Sequence, residues 1–411
     1  MEAFLIAAVR AGDTDAVERL LLAGADPDAR DERGTPALCL AIECRAPSTA
    51  RLLVEHGADR EQHGPDGVRP LRKAVDSGSP ALAEAVLSEP GRWTPDEDEL
   101  REAHDLARRW YETGAEAELR RRTGARGPVA RTRVPDGEFH VVDELALDGA
   151  TVRDGHGAVL TDLDARLGTA LSFEELRRRA LSRPDQEHPT WSASTMLLAH
   201  RRDPHTWRAA EALRAHPDPA HRLFGAEVLR LTYLFDDREE DPFKTPALRL
   251  FTDWAAAEED PAVLAEVLLG LSEHPSPQVD TALLPHADHQ DPRVRHAVAG
   301  GLDSHAPAFA PAVRDTLLAL MTDPDADVRY RACYTVASGK DRAPDLADAM
   351  AALLDDPERR VRVAAVYGLA RHDDERCVEG DRRLPPAPPG TPHEYDRDEV
   401  WRYEMRRDGR G

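Results

Sequence analysis

The feature that most constrains this chain is a period of 33 residues at its start. Leu5, Leu38 and Leu71 repeat at that interval, as do Ala8, Ala41 and Ala74, and Gly-Ala-Asp occurs at 24–26 and again at 57–59. Gly12 and Gly78 bracket Arg45 in the same register. A fixed period of this length marks a stacked repeat, whose units cannot bury their apolar faces alone and are covered by their neighbours. The stretch GADPDARDERGTPALCLAI looks in isolation like an active-site loop, but the period makes it one copy of a building block. Its parts have mechanical roles. Gly24 and Gly57 end outer helices where a positive φ is needed, and a proline in a first helical turn loses no hydrogen bond. Leu20, Leu21 and Leu22, like Leu52, Leu53 and Val54, form the stripe that the next unit covers.

This loop–helix–turn–helix pattern resembles the ankyrin repeat. Gly67-x-x-Pro70-Leu71-x-x-Ala74 follows that family's G-x-T-P-L-H-x-A signature, with Arg69 for threonine and Arg72 for histidine. In the second copy Gly34, Leu38 and Ala41 keep their places, Thr35-Pro36 sits one residue early, and Cys39 takes the histidine position. Cys39 reads as a small core residue, since nothing nearby would lower its pKa.

A second series follows. Asp-Pro recurs at 203, 218, 260, 291, 323 and 356, and DPRVRHAVAGGL, DPDADVRYRACYTVA and DPERRVRVAAVYGLA share Asp-Pro, then Val-Arg, then an Ala-rich helix. These units resemble the HEAT repeat, a helix pair stacked into a curved solenoid. Asp can cap the second helix and Pro suits its first turn. Val294, Val328 and Val361 are expected to face inward. The resemblance implies that Arg329 and Arg362 pair with the turn aspartates six residues upstream, Asp323 and Asp356; Arg295 lies only four residues from Asp291. Five helix pairs fit between about 204 and 372, with the acidic insertion DDREEDPFKT (236–245) lengthening one loop.

Composition agrees with repeats rather than one large core. At 411 residues more than one module is expected, and aromatics are 5% against 32% charged residues. The net charge of −23, spread along the chain, sets a field that repels nucleic acid and anionic membrane. Cations are almost all arginine, a bias typical of GC-rich bacterial genomes. Four cysteines without a C-x-x-C pair suggest a reducing, cytoplasmic setting. The apolar run in MEAFLIAAVRAGD is too short for a signal peptide or a membrane span.

Between the two series, 95–123 reads as two helices able to cap the first stack. Residues 128–161 are β-prone and broken by Pro-Asp-Gly, Asp-Gly and Asp-Gly-His-Gly, which are hairpin signals. SFEELRRRAL opens with a Ser172…Glu175 capping box. After 372, HDDERCVEGDRRLPPAPPGTP is expected to be extended, and Val400, Trp401, Tyr403 and Met405 are expected to dock on the last helix pair, with anchoring a partner as the alternative.

Candidates for chemistry are few. His286, Asp288, His289, Asp291 and His296 could hold zinc, although the repeat register alone explains Asp291. DGHGAV (154–159) could present a histidine and backbone amides to an anion, but lacks the Lys and Ser/Thr of a P-loop. Six arginines between Arg120 and Arg133 read as a solvated face or as a contact for an acidic partner. Among enzymes on HEAT-like folds, deoxyhypusine hydroxylases need repeated His-Glu dyads, and this chain has only His393-Glu394. DNA alkylation-repair glycosylases need a basic groove; bilin lyases have no motif to test.

The resulting expectation is a mainly α chain with two α-solenoids, ankyrin then HEAT, joined by a small mixed α+β module. Its segments are 1–123 (ankyrin repeats with a helical cap), 124–188 (mixed module), 189–372 (HEAT-like solenoid) and 373–411 (Pro-rich linker and tail). Its expected role is a non-catalytic, cytoplasmic scaffold without metal or cofactor, binding a basic or mixed-charge protein. Asp31, Glu32, Arg33 and Asp66 on hairpin tips, Arg295, Arg331 and Arg362 in the HEAT groove, and Trp401 are the expected contacts. The alternative is a lyase or modifying enzyme with its site in the groove or mixed module.

Overall fold

The computed structural model describes residues 1–88, 95–234, 243–274, 276–302, 307–385 and 392–407. The chain divides into two compact units, Met1–Leu198 and Ala199–Gly411.

In the first unit, three helix pairs follow the 33-residue period: α1 (Glu2–Ala11) with α2 (Thr14–Leu22), α3 (Ala37–Glu43) with α4 (Pro47–Glu55), and α5 (Pro70–Ser77) with α6 (Pro80–Leu87). Leu5, Leu38, Leu71, Ala8, Ala41 and Ala74 are all buried, as the register requires. Gly12, Arg45 and Gly78 end the first helix of each pair with φ of 66°, 55° and 72°. Arginine is unusual in that conformation. Here its side chain is put to use, reaching Glu144 (3.0 Å) and Thr151 on the sheet described next.

Helices α7 (Glu97–Thr113) and α8 (Ala115–Thr123) close the stack, burying Leu106, Trp110 and Leu119 in the same core as Leu71 and Leu82. Strands β1 (Ala130–Pro135), β2 (Val141–Leu147) and β3 (Ala150–Arg153) form an antiparallel sheet in the order β1-β2-β3. Asp148 and Gly149, both at positive φ (50° and 79°), make the two-residue turn between β2 and β3. Of the three hairpin signals, Pro135-Asp136-Gly137 and Asp148-Gly149 lie at hairpin turns, whereas Asp154-Gly155-His156-Gly157 leads into a helix. Helices α9 (His156–Arg166), α10 (Phe173–Leu181) and α11 (Pro189–Ala199) follow. Ser172 caps α10 by accepting the Glu175 amide (3.1 Å), but the Glu175 carboxylate turns to Arg178 and Arg179, so only half of the capping box forms.

The sheet and the repeats share one core, in which Leu145, Leu147 and Val152 join the helical residues. A buried polar knot pins them. Asp136, in the turn after β1, accepts from the Ser79 hydroxyl and the Ala81 amide (3.0 Å) at the start of α6 and from Arg153 (2.6 Å) on β3.

The second unit stacks five pairs between 204 and 371: α12 (Pro204–Ala212) with α13 (Pro219–Leu234), α14 (Lys244–Ala255) with α15 (Pro261–Ser272), α16 (Pro277–Leu283) with α17 (Pro292–Gly301), α18 (Pro311–Leu320) with α19 (Ala326–Ser338), and α20 (Pro344–Ala352) with α21 (Arg359–Arg371). Val294, Val328 and Val361 are fully buried. Asp203, Asp260 and Asp291 cap their helices in the expected way. Asp323 and Asp356 do not: α19 begins after Asp325 and α21 after Glu358.

Residues 376–383 are not extended as expected but form α22 (Arg376–Arg383), with Cys377 buried and Arg376 bridging Asp374 (2.6 Å) and Asp348 (2.8 Å). The final helix α23 (Pro392–Arg407) docks on α21, burying Val400 and Tyr403, and Arg406 donates to the Ala370 carbonyl (2.9 Å). Most of the acidic insertion at 236–245 and of LPPAPPGTP lies outside the described residues.

Candidate interaction surfaces

In the second unit the arginines after the inward valines have one repeated task. Arg295, Arg329 and Arg362 each donate through Nη1 to the carbonyls six and five residues upstream: His289 and Gln290, Asp323 and Pro324, Asp356 and Pro357. Arg222 does the same with His216 and Pro217. The other edge of the guanidinium reaches forward. Arg295 grips Asp323 (2.7 and 2.8 Å), Arg329 grips Asp356 (2.7 and 3.0 Å), and Arg222 grips Glu258 (2.9 and 2.7 Å).

The expected pairing within a repeat is therefore corrected. Each arginine takes two carbonyls of its own inter-helix turn, the aspartate's among them for Arg329 and Arg362, and Arg295 and Arg329 take the carboxylate of the next repeat's turn aspartate. That explains why Asp323 and Asp356 are not helix caps, and why Arg295 keeps its rung despite its spacing from Asp291. Planar, two-point bonds of this kind are the stronger class of ion pair, and the paired arginines hold both aspartate carboxyls below the usual range despite burial. Arg362 is the exception, with its carbonyl bonds but no carboxylate among the described residues.

A second strip runs over the second helices. Tyr334 on α19 stacks on Tyr367 on α21 (5.4 Å between centroids, 11° between planes); Tyr330 lies 6.0 Å from Tyr334, and Arg371 sits 5.8 Å over Tyr367. Arg331 continues the strip toward α17, lying so close over Gly300 that a Cβ there would be 2.3 Å from its Nε. These side chains are half-buried. The sequence carried a signal for them: Tyr334 and Tyr367 are 33 residues apart in the Val328/Val361 register.

The expected contacts thus divide. Arg295 is consumed by the ladder. Asp31 is consumed by its own loop, accepting the Arg33 and Thr35 amides (2.9 and 2.8 Å) and pairing with Arg10 (2.6 Å), with its side chain 2% exposed. The Thr35 amide leads in holding its carboxyl below the usual range. Asp66 pairs with Lys73. Glu32 and Arg33 stand exposed, Arg331 and Arg362 are half-buried, and Trp401 is 61% exposed.

The other candidates have local duties. Cys39 is buried, and burial pushes its thiol up to about 11. His289 accepts the Asp291 amide (3.0 Å) and Asp291 holds Arg293; among the described residues no group of three or more His, Cys, Asp or Glu converges on a point. Arg120, Arg121 and Arg122 pair with Glu116 and Glu118, Arg131 with Glu116, and Arg133 with Asp185 and Glu187. No helix among the described residues is long and apolar enough to cross a membrane.

Comparison with known proteins fits this architecture. Ankyrin repeats, in three copies, match residues 5–94, and HEAT repeats match residues 313–379. The chain thus carries ankyrin repeats followed by HEAT repeats. The chain is mainly α-helical, and in sequence the small three-stranded sheet lies between the two repeat series. No curated protein sequence matches significantly. Among solved structures, YibA of Escherichia coli is similar over 54% of this chain and 77% of its own, at 21% identity and a TM-score of 0.43. A mutant of Kap121p is similar over 98% of this chain and 45% of its own (11% identity, TM-score 0.36), and the Pds5–Scc1 complex over 94% and 60% (14%, 0.31). Scores this low leave those resemblances without bearing on function.

Proposed function

We propose that the chain is a non-catalytic interaction scaffold in which the HEAT unit carries the main binding surface, the Tyr330–Tyr334–Tyr367–Arg371 strip. The observation that supports this most is the stack of tyrosines from successive helices, flanked by Arg331 and Arg371. Tyrosine and arginine dominate energetic hot spots in protein interfaces, because each offers a large contact area and a polar end. Tyrosine faces also receive lysine and arginine from a partner, and the net charge of −23 draws such a partner in. The partner is accordingly a basic or mixed-charge protein segment, and the setting is cytoplasmic. Glu32 and Arg33 on the ankyrin loops and Trp401 on α23 are secondary contacts. The four segments 1–123, 124–188, 189–372 and 373–411 remain the working division of labour.

The test is affinity capture from the native cell by the full chain, followed by binding measurements on each captured protein. Tyr334→Ala with Tyr367→Ala should weaken binding by about 2 kcal/mol or more, while circular dichroism stays unchanged. A captured partner whose affinity is untouched by these changes, and by Glu32→Arg and Trp401→Ala, would remove the proposal.

A further inference from the structure

The two ends of the ankyrin stack are finished differently. At one end α7 and α8 cover the third repeat, burying Leu106, Trp110 and Leu119. At the other end no described residue covers α1 and α2, and the 33-residue register shows which side chains this leaves open. Phe4 corresponds to Ala37 and Pro70, Ala7 to Leu40 and Lys73, Ala16 to Thr49 and Leu82, and Leu20 to Leu53 and Val86.

In the second repeat these positions are closed: Ala37, Thr49 and Leu53 are 0% exposed and Leu40 is 6% exposed. The repeat before closes them, and the Thr49 hydroxyl lies 3.4 Å from the Thr14 hydroxyl on α2. In the first repeat the same positions are open. Phe4 is 71% exposed, Ala7 is exposed, and Ala16 and Leu20 are only half-buried. Ala3 is exposed as well, although its counterpart Pro36 is buried. The core side of α1 is separately satisfied by Leu5, Ile6, Ala8 and Val9, all buried. Phe4 and Ala7 therefore belong to a second apolar face of the same helix.

A terminal repeat needs a polar outer face, because the stacking face of a solenoid is otherwise apolar and insoluble. Here Ala3, Phe4, Ala7, Ala16 and Leu20 keep that face apolar, with Glu2 and Arg19 as exposed charges beside them. The face is the stacking interface already used twice within this unit, where α1 and α2 meet α3 and α4, and these meet α5 and α6. Its complement is therefore another stacked helix pair. In a second copy of the chain the opposite end of the ankyrin stack is closed by α7 and α8, so the stacking face left to meet this one is its own equivalent.

We infer that the first repeat is a self-association surface, through which two copies of the chain meet by the Phe4–Ala7–Leu20 face in a closed, twofold dimer. Charge agrees with this pairing. Helices α1 and α2 form an antiparallel pair, so Glu2 in the first turn of α1 and Arg19 in the last turn of α2 lie at the same end of the face. A twofold axis parallel to the helices lays α1 of one copy on α2 of the other, and sets Glu2 against the partner's Arg19 twice. The contact is small, two helices of 10 and 9 residues from each copy. It falls short of the about 800 Å² per partner in a standard stable complex, so association belongs in the micromolar range. This surface is independent of the tyrosine strip, which lies in the other unit.

Sedimentation velocity of the full chain from about 1 to 200 µM tests the inference. A reversible monomer–dimer equilibrium is expected, with nothing larger. Phe4→Glu with Ala7→Glu changes only exposed positions, so circular dichroism and Tm should stay unchanged while association weakens by about thirtyfold or more. Glu2→Arg and Arg19→Glu should each weaken it, and the two together should restore it, which a contact elsewhere on the chain would not do. A chain that stays monomeric across this range, whether or not some other protein docks on Phe4, overturns the inference. So does a dimer that Phe4→Glu with Ala7→Glu leaves intact, a charge-swapped double variant no better than the singles, or an assembly that keeps growing with concentration.

Discussion

Asp136→Ala is the sharpest test of how the sheet and the ankyrin stack hold together. The side chain is fully buried and serves three donors on two elements: the Ser79 hydroxyl, the Ala81 amide and the Arg153 guanidinium. Removing it leaves Arg153, 7% exposed, without its close partner. Stranding one member of a buried ion pair costs about 3–5 kcal/mol. Glu144 stands 3.6 Å from Arg153, shares itself with Arg45 and takes up part of the loss. The lost bonds at the start of α6 add back about 1 kcal/mol. The expectation is about 4 kcal/mol, or a fall in Tm of roughly 8–16 °C for a unit of this size. Scanning calorimetry gives the shift, and hydrogen exchange should place it in residues 1–198. Asp136→Ala with Arg153→Met should recover more than half, because no buried cation is then stranded. A fall below about 2 °C, or a double variant no better than the single, would refute the reasoning.

Leu71→Asp places an unpaired charge in the ankyrin core and should unfold the first unit; a melt like the parent's would mean the register is wrong. Arg329→Ala should cost about 3 kcal/mol because it strands Asp356, whereas Arg362→Ala, which loses only carbonyl bonds, should cost about 1 kcal/mol; equal losses in urea titrations would contradict the forward ladder. The first unit should also be acid-sensitive. His156 binds its proton near pH 4 when folded and near 6.5 when unfolded, so its stabilising effect is full above pH 6.5 and lost as pH falls to 4, about 3 kcal/mol in all. His274 gives the second unit a similar limb, so hydrogen exchange must resolve the first unit, where His156→Phe should flatten the loss.

The repeats were legible because packing writes itself into the sequence as a period. Leu5, Leu38 and Leu71 recur since each meets the same neighbour, and Arg45 shows how far the signal reaches: a non-glycine still falls where the backbone needs positive φ. The hairpins were legible for the same local reason, in Asp148-Gly149. Helix α22 was not. Its sequence, RCVEGDRR, has no apolar stripe, and what makes it helical is the surface it meets: Cys377 is buried, and Arg376 is held by Asp348 on α20.

Availability is a different property from position, and here the sequence was least informative. Asp31 and Arg295 were placed correctly on a loop and a helix edge, yet both are spent. The Asp31 carboxylate closes its own turn, and Arg295 spans two repeats through one aspartate 28 residues ahead. Local reasoning pairs an arginine with the nearest acid in its own turn; the stack brings the next turn's acid closer in space. The same logic runs in reverse at His156. Its neighbours in sequence, Asp154 and Gly155, would be expected to cap α9, but Asp154 is drawn to His188 and Arg183, and the glycine has nothing to offer. A residue becomes free to bind when tertiary contacts remove its local partner and supply no other. Among the described residues Arg362 comes nearest to that condition: it keeps its two local carbonyls, but the forward ladder supplies it no carboxylate.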